Sequence, residues 1–107
     1  MITTANQVLD HMVVLIKKGW TRGAAARDEK SRQTYPRSPL AVSFCMMGAH
    51  DRACLDTDAG YTALTESKLS IYRQLDTTPF TGSISDFNDA DGRTVEEVIE
   101  LILRAKS

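Results

Sequence analysis

Four side chains carry most of the ligand and nucleophile chemistry open to this chain: Cys45, Cys54, His11 and His50. A structural metal would need three or four such groups converging from one side. If residues 45–54 are helical, His50 sits about 140° around the axis from Cys45, so one helix cannot present Cys45, His50 and Cys54 together. A catalytic thiolate needs an exposed, electropositive setting, whereas Cys45 stands between Phe44 and Met46 in an apolar run. The segment Asp86–Gly92 has the composition of a calcium loop but not its spacing. With Asp89, Asp91 and Gly92 as loop positions three, five and six, Phe87 falls at position one and Val98 where a bidentate glutamate is needed. The same residues suit a turn in which Asn88, Asp89 and Asp91 bond nearby amides and Gly92 takes a positive φ. Glu96 and Glu100 lie one turn apart on a helix exterior, and no phosphate-cradling glycine loop, dinucleotide fingerprint or nucleophile elbow is present. The expectation is no metal, no cofactor and no catalytic residue, with an enzyme the least favoured class.

The formal charge of −1 hides an asymmetry. Seven basic residues between Lys17 and Arg37 outnumber the three acids of the first fifty positions, and the remainder of the chain is acidic. A stripe containing Arg22, Arg27, Lys30 and Arg32 can attract phosphate or an acidic protein, although it lacks the interleaved aromatics of a single-strand platform. Opposed charges of this kind are equally compatible with a homo-oligomer. With 107 residues and 42% hydrophobic composition, the whole of 1–107 is expected to form one domain on one core. Two cysteines in apolar surroundings point to a reducing compartment rather than a disulfide framework. The N-terminus reads as lacking a secretion signal, and no run approaches the roughly 20 apolar residues of a membrane span. A cytoplasmic protein with no membrane partner is expected.

The elements that must position these residues read as mainly α, a small four-helix domain with a basic loop or short β-ribbon between helices 1 and 2. Thr4 with Gln7 forms a capping box ahead of Val8, Leu9, Met12, Val13 and Ile16, predicting a helix to Lys18 that stops at a left-handed Gly19. Ala24–Arg27 and Gln33–Tyr35 can pair as the ribbon across a polar turn. Ser38 followed by Pro39 reads as the start of a buried central helix through Cys54 or Leu55. In it Ala41, Cys45, Gly48 and Ala49 form a column of small side chains for a crossing helix. Thr62 caps a peripheral helix to Leu75, and a long connection through Phe80, Ile84 and Phe87 leads to a last helix capped by Thr94 and Glu97.

Gly19-Trp20-Thr21-Arg22-Gly23-Ala24, then Cys45-Met46-Met47-Gly48-Ala49, then Phe87-Asn88-Asp89 and Arg93-Thr94-Val95-Glu96-Glu97-Val98 together resemble a family of short bacterial and phage-encoded proteins of unknown function. Its members usually carry tryptophan where this chain has Phe87. The resemblance implies that the tryptophan segment, the Cys-x-x-Gly-Ala helix and the Asn-Asp turn come together. That association places Trp20, Asn88, Asp89 and Arg93 at element junctions, where they build a structural network or a recognition site; with Arg22, Arg27, Lys30 and Arg32 of the basic stripe they are the candidate binding residues. The expected function is a small binding or regulatory protein, a phage or mobile-element accessory acting on another protein. A nucleic-acid module using residues 17–37 is the alternative.

Overall fold

The computed structural model describes residues 2–107, and in them five helices and a small sheet follow in the order α1 (Ala5–Lys18), β1 (Ala26–Arg27), β2 (Gln33–Thr34), β3 (Ser43–Phe44), α2 (Met46–Asp56), α3 (Tyr61–Leu75), α4 (Ile84–Asp89) and α5 (Val95–Arg104). Local signals fix the two best-defined ends. Thr4 Oγ1 accepts from Gln7 N and Gln7 Oε1 accepts from Thr4 N; Thr94 and Glu97 repeat the arrangement at the start of α5. Each box satisfies two amides that the first helical turn leaves without partners.

The helix at the centre is α1, which packs against α2, α3 and α5 and buries Val8, Leu9, Met12, Val13, Leu15 and Ile16. Ile71 and Leu75 of α3, Val98, Leu101 and Ile102 of α5, and Met46, Ala49 and Ala53 of α2 complete one hydrophobic cluster with it.

Several expectations are corrected. The helix expected from Pro39 begins at Met46: Ser38 Oγ accepts only from Leu40 N, in a turn, and Ser43–Phe44 is a strand. A short apolar run has no period to separate buried strand from buried helix, and here pairing with β1 decided it. Cys45 is therefore the N-cap of α2, its Sγ accepting from Gly48 N at 3.3 Å, instead of a member of a small-residue column. Gly19 is extended (φ −172°), not left-handed, because its carbonyl accepts from Phe44 N at 2.9 Å. Gly60, not Thr62, precedes α3, and no side chain caps that helix. The count of four helices rises to five because Ser83 and Asp86 form a further capping box and start α4 inside the expected connection.

The ribbon between helices 1 and 2 is present as β1 and β2, and β3 adds to its other side, giving the order β2-β1-β3 with both pairings antiparallel. Trp20 extends the far edge through a parallel bridge to Phe44. The sheet thus ties the start of α2 to the segment that follows α1.

Candidate functional site

Asn88 is the last buried residue of α4, fully enclosed, and every polar atom of its amide is used. Its Oδ1 accepts from Trp20 Nε1 at 2.8 Å and from Met46 N at 3.1 Å. Its Nδ2 donates to Thr21 O at 3.1 Å and to Asp89 Oδ1 at 2.9 Å. One side chain thereby joins the tryptophan segment, the first amide of α2 and the end of α4. Around it Asp89 Oδ1 also accepts from Gly23 N at 3.1 Å, and Arg22 donates to the carbonyls of Asp89 and Ala90 at 2.8 and 3.0 Å. These carbonyls lie at the C-terminal end of α4, where a cation is favoured.

Trp20, Arg22, Asn88 and Asp89 therefore meet at one junction, and Arg27 braces it: its guanidinium donates to Thr21 Oγ1, Ser31 O and Arg22 O. The Asn-Asp pair lies within α4 and bonds across the fold, so the local turn expected for Asn88 and Asp89 is corrected; Gly92 does take the positive φ, at 75°. Arg93 does not join this junction. Its guanidinium lies 3.7 Å from the Phe87 ring centroid, donates to Phe87 O at 2.8 Å and pairs with Glu97. Lys30 and Arg32 stand apart at the β1–β2 turn, where Arg32 pairs with Asp28 at 3.1 Å. Backbone amides and the Arg32 guanidinium hold the Asp28 carboxyl below its usual pKa.

A second cluster had no sequence signal, because it depends on α2 and α3 meeting. His50, 3% exposed, places Nε2 2.8 Å from Ser67 Oγ, and Ser67 donates to Leu64 O at 3.0 Å. Cys54 Sγ is 3.9 Å from the same nitrogen. Burial raises the pKa of both Cys45 and Cys54, which keeps them as thiols. Burial, reinforced by the Lys68 charge, pushes His50 from 6.5 down to about 4, against weaker opposing contributions from the Leu64 carbonyl and Asp51.

This shift sets an acid-stability profile. The folded ring stays neutral down to pH about 4 while the unfolded ring takes a proton below about 6.5. The unfolded state therefore binds more protons in that window, and stability falls as pH falls through it. At 1.36 kcal/mol per unit, the loss between pH 7 and pH 4.5 is expected to be about 2 kcal/mol. Urea unfolding of the native chain and His50→Gln at both pH values checks it: the variant should lose less on acidification by about that amount.

Among the described residues no group of three or more His, Cys, Asp or Glu side chains is arranged to hold a metal ion, and no helix is long and apolar enough to cross a membrane. The exposed apolar side chains include Leu40 and Val42, 65% and 48% exposed, between β2 and β3. They line a cleft of about 200 Å³ with Pro39, Asp28, Glu29, Lys30 and Arg32. No curated protein and no solved structure matches the chain. The model of a family of unknown function, DUF6197, matches residues 1–107, and the chain belongs to that family.

Proposed function

We propose that this chain is a small non-enzymatic binding protein of the cytoplasm, an accessory protein of bacterial or phage origin that acts by contacting another protein through the Pro39–Val42 segment. The observation that carries this reading is the exposure of Leu40 and Val42 beside a cleft rimmed by Lys30, Arg32, Asp28 and Glu29. Apolar side chains with a mixed-charge rim are the anatomy of a protein contact, whose apolar centre excludes water while the rim sets orientation. Lys30 and Arg32 belong to this contact surface. Trp20, Arg22, Arg27, Asn88 and Asp89 act on it indirectly, by holding the sheet against α2 and α4, while Arg93 ties α4 to the start of α5.

The nucleic-acid alternative is weakened by where the basic stripe goes. Arg22 and Arg27 are engaged on backbone carbonyls, Arg32 on Asp28 and Arg37 on Asp51. Guanidinium groups already paired have less to gain from phosphate, and the salt-steep binding of a phosphate-led interface is not expected.

Leu40→Asp should leave the melting temperature within a few degrees, because that side chain is mostly in water, and Val42→Asp, about half exposed, should lower it only modestly. A photo-crosslinking residue at position 40 should capture one protein in the native host, and Val42→Asp should abolish that adduct. Capture that survives Val42→Asp unchanged would refute the assignment of this surface.

A further inference from the structure

The contact between His50 and Ser67 leaves one polar atom free, and its position points to a second site. Ser67 gives its only hydroxyl hydrogen to Leu64 O at 3.0 Å, so toward His50 it accepts, and His50 Nε2 carries the ring proton. Nδ1 is then an unprotonated acceptor without a protein partner. No side-chain nitrogen or oxygen sealed from solvent among the described residues lacks a partner, so Nδ1 retains some access to solvent, and the cleft that His50 lines is where it opens. That cleft, of about 360 Å³, lies between the ribbon and helices α2 and α3. Pro36, Met47 and Leu64 supply apolar wall, and Lys68 stands on its rim. Lys68 makes no ion pair among the described residues, whereas Asp51 beside it is engaged by Arg37 at 2.8 Å.

An imidazole and a hydroxyl buried between two helices add little to packing that apolar residues would not supply, since both must be desolvated first. We propose that this cleft binds a small hydroxycarboxylate: its hydroxyl donates to His50 Nδ1, its carboxylate meets the Lys68 ammonium, and a short apolar body lies on Pro36, Met47 and Leu64. The site shares no lining residue with the Pro39–Val42 surface, so either assignment can fail without the other.

Mandelate carries all three elements, phenylacetate lacks the hydroxyl and benzyl alcohol lacks the carboxylate, so the three serve as probes. Titration followed by the ring ¹⁵N signals of His50 and the amide signals of Leu64 and Lys68 should show mandelate moving all of them. Phenylacetate and benzyl alcohol should each bind about tenfold more weakly, the worth of one lost charge-assisted or ring-accepted hydrogen bond. Lys68→Gln should weaken mandelate to the level of benzyl alcohol with no change in melting temperature. Equal affinity for mandelate and phenylacetate, a His50 signal that no probe moves, or a proton found on Nδ1 would each overturn the proposal.

Discussion

Asn88→Ala is expected to destabilise the protein by about 3–5 kcal/mol, lowering the melting temperature by roughly 15 °C or more. The size follows from what the truncation leaves behind. Trp20 Nε1, Met46 N and Thr21 O each lose their partner on the fully buried Asn88, Met46 N inside the core and the other two at half-buried positions, and a buried polar group left without one costs about 1–3 kcal/mol. Against a total stability of about 5–15 kcal/mol for a domain, that is a large fraction. Asn88→Asp should not rescue it. The carboxylate keeps the acceptor for Trp20 and Met46 but loses the donor, and it sets a second negative charge against Asp89 Oδ1 and the Thr21 carbonyl. Asp89→Ala should cost less, about 1–2 kcal/mol, because Asp89 is exposed and water can replace it at Gly23 N, while Asn88 Nδ2 loses one acceptor but keeps Thr21 O. Thermal and urea unfolding of the three variants checks the ranking.

Gly48→Ala is expected to be at least as damaging, by about 3 kcal/mol or more, although alanine is the better helix former by about 1 kcal/mol. A Cβ at position 48 would meet the Ala25 carbonyl oxygen at 1.9 Å and its carbon at 2.8 Å. Both are backbone atoms, so no side chain can turn aside. The Ala25 carbonyl also accepts from Cys45 N at 3.1 Å, so moving it breaks a bond that joins the residue before β1 to the cap of α2. The close approach that glycine permits is that of the ribbon backbone, not of a crossing helix. Circular dichroism and melting of Gly48→Ala should show a loosened fold. A variant more stable than the native chain would show that helix propensity dominates at this position and that the ribbon moves freely.

The sequence announces the parts of this fold that are local. The capping boxes at Thr4 and Thr94 precede apolar stripes, and both signals lie within a few residues of what they specify, so α1 and α5 were legible. Ser38-Pro39 imitated a helix start, but the following residues found strand partners at Ala26 and Arg27, a tertiary choice that propensity cannot see. The helix α4 was missed because six residues give no period to read; only Ser83 with Asp86 marked it. The family resemblance groups Trp20, Asn88, Asp89 and Arg93 at element junctions; the first three do meet, Arg22 of the basic stripe joins them, and Arg93 instead binds Phe87 and Glu97. Residue types and order were not enough to show that Asn88 is enclosed and bonds residues 42 to 68 positions away. His50 with Ser67 lay beyond sequence reading, since nothing in either helix signals which residue of the other it will face.

Asn88 joins the tryptophan segment to α2 and α4, which leaves recognition to the Pro39–Val42 surface. A double-mutant cycle tests the first half most directly: unfolding free energies of the native chain, Trp20→Phe, Asn88→Ala and the double variant. Trp20→Phe keeps the aromatic bulk and removes the Nε1 donor. If the bond at 2.8 Å works within one coupled network, the double variant should be less destabilised than the sum of the singles by about 1 kcal/mol. Effects that add within about 0.3 kcal/mol would contradict the account, because Trp20 and Asn88 would then act independently.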